Sequence, residues 1–383
     1  MKRQQDLKVV FLLKRALPYW HPIAAELTKI YPQTKVFTGF WSGFSWGYEA
    51  SFDVEQVGKI EFWGAYKHNQ KEHYAPGLIY LSPKIIIALL RYQPKVIISD
   101  GFCIWTVFAL LLKLWKKWRV IIICDGSSPG TDYRNSWFRI AVRRLMTRIT
   151  DAFITNNQAG KSYLVEILQA KEARVFARPY LVPDRNSLLK SSGQLSIDNL
   201  SLSRPVFLCV GQIIPRKNLK SILEACLILK QQDLNFTVLI IGEGWEREKL
   251  EALSQSYGLS NRIKWLGNID YENLGFYYQY ADVFLFPTLE DIWGMVLLEA
   301  MAFGKAIICS QLAGAQELIS DGENGFCYEP QDIDRLARYM NIFIDNPQLI
   351  KTMGKRSLES IDFHSPAKAA ESLRKVISLI ISQ

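Results

Sequence analysis

Short apolar runs of three to five residues alternate with amphipathic helical stretches through most of this 383-residue chain, and that alternation sets the tightest limit on its fold. In the second half the pattern is clean. Strands are expected at 206–210, 237–241, 263–266, 283–286 and 306–309. Helices are expected at 219–230, 246–257, 271–280, 295–303 and 333–343. Strands separated by helices cannot close as hairpins, so they pair in parallel and carry helices on both faces of the sheet. The first half repeats the theme less regularly, with strands at 9–13, 35–37, 96–99, 120–124 and 153–155 and helical patterns at 23–30, 84–90 and 138–146. The length suits two domains. A cluster of Pro179, Pro183, Ser187, Ser191, Ser192 and Gly193 marks the join near 180–204. The expectation is an α/β chain of two doubly wound, Rossmann-like domains, 1–190 and 191–362. A tail helix over 363–383 is capped by Ser365 and opened by Pro366, and it is expected to return to the first domain.

Open parallel sheets bind ligands at the carboxyl ends of their strands, so the loops there are the places to look for chemistry. After the strand at 206–210 comes Gly211-Gln-Ile-Ile-Pro-Arg-Lys-Asn218. Gly211 lets the backbone approach a ligand, and Arg216 and Lys217 put cations beside a helix start. Gly242-Glu-Gly244 and Gly267-Asn268 follow the next two strands, the latter with main-chain groups able to read a base edge. The richest loop is Thr288-Leu-Glu-Asp-Ile-Trp-Gly-Met-Val-Leu-Leu-Glu-Ala-Met301. The amides of Gly294, Met295 and Val296 open a helix and favour an anion. Glu299 lies a turn further on, where a carboxylate suits vicinal hydroxyls such as those of a ribose. Asp291, in the loop, offers the same to a hexose.

Together these stretches resemble family-4 glycosyltransferases, which are retaining enzymes of the GT-B fold. The carriers of the resemblance are the acidic E-x7-E region over 286–308, the phosphate loop over 210–217, and Ile241-Gly-Glu-Gly-Trp-Glu-Arg-Glu-Lys-Leu250, Leu266-Gly267 and Asp321-Gly-Glu-Asn-Gly-Phe326. They cover about 205–345, and the first half matches only in pattern. The resemblance implies that Glu299 binds the ribose hydroxyls, Asp291 contacts the donor sugar and Lys217 holds the donor diphosphate. Two departures stand out. Asp291 replaces a glutamate and has Glu290 beside it, so either acid is a candidate for the sugar. Gln212 stands where the family carries an arginine, which leaves Arg216 as its substitute. The resemblance further implies a nucleoside diphosphate sugar as donor, uridine diphosphate being its commonest carrier, with the acceptor on the first domain and reaction in the cleft between domains.

The acceptor side is less legible. Lys14-Arg-Ala-Leu-Pro-Tyr-Trp-His-Pro22 resembles an acceptor loop and makes His21 a candidate contact. Asp100 and Asp125 end expected strands and are candidates to orient an acceptor hydroxyl. Residues 37–66 carry ten aromatics, Phe37, Phe40, Trp41, Phe44, Trp46, Tyr48, Phe52, Phe62, Trp63 and Tyr66, fit for stacking on sugars, for a membrane interface or for packing under a loop. The net charge of +9 is uneven. Residues 1–190 hold 28 Lys and Arg against 14 Asp and Glu, and residues 191–383 hold 18 against 23. A basic first half attracts an anionic partner. The lysines of 110–118 sit among Leu and Trp in the manner of a surface contact with an anionic membrane. Nucleic acid is disfavoured, since no nucleic-acid motif accompanies the charge.

No convincing leader or membrane-spanning run is present, because the apolar runs at 9–13 and 101–112 end at lysine too soon. The six scattered cysteines read as buried thiols of a reducing cytoplasm, with peripheral attachment to the inner membrane face. No cofactor or metal requirement is expected. The only D-x-D, Asp332-Ile-Asp334, reads as a helix cap, and the histidines at 21, 68, 73 and 364 make no ligand pair. The reading is therefore a glycosyltransferase acting on a nucleotide sugar and a glycan or lipid-linked acceptor. Its rivals are a sugar-nucleotide epimerase of the same fold and a non-catalytic protein that binds membrane or glycan.

Overall fold

The computed structural model describes residues 6–63, 78–188 and 202–382. Tyr66, His68, His73, Ser191, Ser192 and Gly193 lie outside the described residues. The chain divides into two compact units. One is Met1–Val182 together with His364–Gln383, and the other is Pro183–Phe363.

In the amino-terminal unit, β1 (Val9–Leu13), β2 (Thr34–Thr38), β3 (Asp53–Gln56), β6 (Val96–Asp100), β7 (Arg119–Cys124), β8 (Ala152–Thr155) and β9 (Val175–Ala177) form one parallel sheet in the order β3-β2-β1-β6-β7-β8-β9. A separate antiparallel pair joins β4 (Ile60–Trp63) to β5 (Leu78–Leu81). The helices of this unit include α1 (His21–Ile30), α2 (Ile85–Tyr92), α3 (Ile104–Lys113) and α4 (Trp137–Ile149). The central strands are buried on both faces, which is why they read as unbroken Val and Ile runs.

The carboxy-terminal unit has the order β12-β11-β10-β13-β14-β15, again all parallel. Its strands are β10 (Val206–Val210), β11 (Thr237–Ile241), β12 (Ile263–Gly267), β13 (Val283–Phe286), β14 (Ala306–Ser310) and β15 (Gly325–Tyr328). Its helices are α5 (Leu219–Gln231), α6 (Arg247–Ser256), α7 (Leu274–Tyr280), α8 (Met295–Ala302), α9 (Ile333–Asp345) and α10 (Pro347–Ile361). A core of Phe207, Ile222, Phe236, Val238, Ile240, Leu285, Ile308 and Phe343 lies on one side of this sheet.

The last helix, α11 (Pro366–Ile381), belongs to the amino-terminal unit and packs on α1. Ser365 caps it by accepting from the amide of Lys368, and Leu373, Val376, Ile377 and Ile380 are buried along one stripe.

Elements without a sequence signal are edge strands or short pieces. β3 reads Asp-Val-Glu-Gln, β9 has three residues, and β15 begins with glycine. Asp332 caps α9 through the amide of Arg335, at 2.9 Å. All six cysteines are free. Among the described residues no helix is long and apolar enough to cross a membrane.

Candidate functional site

In the carboxy-terminal sheet the chain leaves β10 toward β11 on one side and resumes at β13 on the other, so the loops after β10 and β13 diverge and leave a crevice. Main-chain bonds lock the two loops together. Leu289 donates its amide to the Arg216 carbonyl at 2.8 Å, and the Thr288 hydroxyl donates to the carbonyls of Glu290 and Arg216. Asn218, in the left-handed region at φ 54°, ties the first loop to Pro287 and Pro330 through its side-chain amide.

This frame brings two cations onto one carboxylate. Lys217 Nζ donates to Oδ2 of Asp291, and the Arg216 guanidinium lies 3.5 Å from the same oxygen while donating to the Glu290 carbonyl at 2.6 Å. The other Asp291 oxygen accepts from the Trp293 amide at 3.2 Å. Lys217 also sits 5.0 Å from the centre of the Phe286 ring. All three charged side chains are nearly buried. Charged hydrogen bonds out of water are strong and directional, so the cluster holds its cations in place for an anion.

Backbone fills the floor of the crevice. A Cβ on Gly242, at φ 136°, would stand 1.9 Å from the Gly211 carbonyl oxygen. The two loops touch through main chain alone, and only glycine fits there. The Gly242 amide donates to the Gly267 carbonyl at 2.8 Å, which sets the Leu266–Gly267 strand end alongside. Gly294, at φ 95°, caps α8, and a Cβ there would press on the Phe286 ring at 2.8 Å. The turn it makes leaves the amides of Met295 and Val296 at the helix start, where no preceding carbonyl of the helix can take them.

Glu299 lies deeper, at 2 % exposure. Its carboxylate accepts from the hydroxyls of Tyr278, at 2.8 Å, and Tyr271, at 3.1 Å. Burial raises its pKa, and the two tyrosine hydroxyls act against that rise. A carboxylate has about four acceptor positions. The two tyrosines therefore orient the group and leave it capacity for further hydroxyl donors.

The amino-terminal unit repeats the topology, with its divergence between β1 and β6. Lys14, just past β1, pairs with Asp100 at the end of β6 at 3.2 Å. Asp125, just past β7, accepts from the Tyr180 hydroxyl at 2.6 Å. Burial, and then the neighbouring Asp100, push the Asp125 carboxyl up to about 6. Burial lowers the pKa of Lys14, but Asp100, Cys103 and Asp125 together outweigh it and the net shift is upward.

The sequence model of the family described as "Glycosyl transferases group 1" matches residues 196–359. An uncharacterized glycosyltransferase of Haemophilus influenzae is 24% identical over 224 residues, 58% of this chain and 60% of that protein. The O-antigen chain mannosyltransferase B of Escherichia coli is 28% identical over 135 residues, 35% of each chain. These matches thus span less than two thirds of either relative. Among solved structures, Anabaena HepE in complex with UDP superposes with a TM-score of 0.75 at 18% identity, covering 97% of this chain and 100% of that one. The fold is GT-B.

Within this GT-B chain the residues singled out by the sequence fall into three groups. Gly211, Arg216, Lys217, Glu290, Asp291 and Gly294 gather at the β10–β13 crevice, and Gly242, Leu266 and Gly267 line up beside it on β11 and β12. Asp100 and Asp125 share the corresponding end of the other sheet. His21 is the exception, and its candidacy as an acceptor contact is corrected. The side chain is fully buried and ringed by Trp41, Phe44, Tyr48 and Phe52, with Nδ1 2.6 Å from the Ser45 hydroxyl. Burial pulls its pKa down to about 4. Trp41, Phe44, Tyr48 and Phe52 therefore pack under their own loop around a neutral imidazole, while Trp46 is exposed.

Tyr271 and Tyr278 were not foreseen. Their seven-residue spacing puts them on one helical face, but nothing in the spacing says that the face meets Glu299. Among the described residues no group of three or more His, Cys, Asp or Glu side chains is close enough to hold a metal ion.

Proposed function

We propose that this protein transfers a sugar from a nucleoside diphosphate donor to a hydroxyl of a glycan or lipid-linked acceptor. One observation carries the reading. Lys217, Arg216 and the α8 start all converge on the crevice at the topological switch of the carboxy-terminal sheet, with a buried, oriented carboxylate at Glu299. Two cations and a helix start suit a diphosphate. Glu299 suits the two hydroxyls of a ribose, and Asp291 or Glu290 suits those of the sugar.

In this reading Lys217 and the amides of Met295 and Val296 take up the charge that grows on the departing diphosphate. Such preorganised groups favour the transition state over the ground state, where less charge sits on the leaving oxygen. Uridine diphosphate is our choice of carrier, supported by UDP in the Anabaena HepE structure. We assign retention of anomeric configuration to the same reaction on the sequence resemblance, and independence of metal on the residues, since the D-x-D of Asp332 and Asp334 serves as a helix cap. Asp100 and Asp125 are assigned to the acceptor, and the Asp125 pKa of about 6 suits it to take up a proton.

The test is a panel of nucleoside diphosphate sugars scored by thermal shift and then by transfer. A true donor raises the melting temperature in proportion to ln(1 + [L]/Kd). Lys217→Ala and Glu299→Ala should each lower both donor binding and turnover. Unchanged turnover in both variants would overturn the proposal.

A further inference from the structure

Two neighbouring helices of the amino-terminal unit turn apolar side chains outward and cations inward. They lie side by side and in the same direction. Lys113 at the end of α3 donates to the carbonyl of Ile149 at the end of α4, at 2.6 Å, while Arg143 of α4 lies over the ring of Phe102, just ahead of α3. On α4, Ile140, Met146 and Thr147 face the core. Arg143 donates to the Asp132 carbonyl and the Tyr163 hydroxyl, and Arg144 donates to the Ile167 carbonyl. Phe138, Val142 and Leu145, at helical spacing, are left facing outward, with Trp137 beside them. On α3 and its extension the exposed residues are Ile104, Leu111, Leu114 and Trp115. Trp115 is 88% exposed and Trp137 81%.

A water-facing helix surface is ordinarily polar, and a contiguous apolar surface of this kind marks a contact. Charge decides which contact. Residues 104–151 contain nine Lys and Arg, three Asp and no Glu, and Asp151 pairs with Lys113 and Arg119. Lys117 and Arg148 are exposed on the same helix ends, with Lys116 half-buried beside them. Asp132 is already paired with Arg134. A second copy of this chain would bring the same positive charges against these, which disfavours self-association. An anionic bilayer offers phosphates to the cations, an interface that tryptophan prefers, and hydrocarbon for Phe138 and Leu145.

We propose that the outward face of α3 and α4 docks the protein on an anionic lipid surface, with Trp115, Trp137 and Phe138 entering the interface and Lys116, Lys117 and Arg148 meeting headgroup phosphates. Asp100 lies four residues before Ile104, so the same element that presents the apolar face begins beside the Lys14–Asp100 pair. The inference stands apart from the transfer reaction, since a chain that binds vesicles but transfers no sugar would keep the one and lose the other.

Co-sedimentation with vesicles tests it. The full chain should bind vesicles of mixed phosphatidylglycerol and phosphatidylcholine, bind vesicles of phosphatidylcholine alone far less, and be partly released by salt. Its tryptophan emission should shift to the blue on binding and be quenched by brominated acyl chains. The triple variant Trp137→Ser, Phe138→Ser, Leu145→Ser should bind at least about tenfold more weakly, and Lys116→Glu with Lys117→Glu should abolish the preference for the anionic vesicles. All five positions are at the surface or half-buried there, so far-ultraviolet circular dichroism and the melting temperature should be unchanged. Equal binding by wild type and triple variant, or no preference for anionic lipid, overturns the proposal. So does a wild-type dimer in light scattering that the triple variant turns into a monomer, because the face would then be a protein interface.

Discussion

Lys217 Nζ hydrogen-bonds Oδ2 of Asp291, although the two residues are 74 positions apart in the chain. The cation that we assign to the donor diphosphate is therefore already held by the carboxylate that we assign to the donor sugar. Diphosphate must compete with Asp291 for Lys217, or share it.

Asp291→Asn keeps the shape and removes that competition. UDP alone should bind the variant as tightly as wild type or more tightly, by up to about a hundredfold, since a charged hydrogen bond is worth about 1.5–3 kcal/mol. Transfer from the complete donor should fall. Titration calorimetry with UDP reads the first effect and a transfer assay the second. Markedly weaker UDP binding would show that Asp291 positions Lys217 for phosphate and does not compete with it.

Tyr278→Phe strips one of two hydroxyl donors from a buried carboxylate. Leaving such a group undersatisfied costs about 1–3 kcal/mol. The variant should unfold at lower denaturant and bind donor more weakly, through a Glu299 that has lost its orientation. An unchanged denaturation midpoint would mean that Tyr278 contributes nothing to holding Glu299.

Gly242→Ala should be far more damaging than Gly322→Ala. Both glycines have positive φ, 136° and 77°, so both substitutions carry backbone strain of order 1–3 kcal/mol. A Cβ at Gly322 meets nothing within 4 Å, whereas one at Gly242 collides with the Gly211 carbonyl. Melting temperatures of the two variants give the comparison, and equal losses would sink the claim that the loops touch through backbone.

His21 and Asp125 tilt stability against pH in opposite senses. The folded pKa of His21, about 4, lies below the ordinary 6.5, so the folded state binds fewer protons than the unfolded state between those values and loses stability as pH falls through them. The folded pKa of Asp125, about 6, lies above the ordinary 3.8, so the fold loses stability as pH rises between those values. The two slopes offset each other between about pH 4 and 6. Asp125→Asn should expose the histidine slope, with stability rising with pH. His21→Leu should expose the aspartate slope, with stability falling with pH. Urea midpoints across that range check both signs.

Much of this fold could be read from the sequence because its central strands are buried on both faces. Val206–Val210, Thr237–Ile241 and Val283–Phe286 are continuous apolar runs, and each lies where its run does. Asp53–Gln56 escapes notice because an edge strand can be polar. Within the site, residue types and loop positions were legible, since parallel sheets bind ligands at the carboxyl ends of their strands. Partnerships were not. Lys217 with Asp291 and Tyr278 with Glu299 depend on how strands order themselves in the sheet. His21 misled for the same reason, since its surroundings come from residues 41–52, beyond the reach of local pattern.

Helix α11 has a consequence for how the chain comes into being. The amino-terminal unit is assembled from both ends of the sequence, with the whole carboxy-terminal unit lying between them. On a ribosome, which releases the chain from its amino end, the second unit has all its residues before the first has its last helix. Until Pro366–Ile381 emerges, the face of α1 that it covers has no partner. The first unit begun is the last one finished.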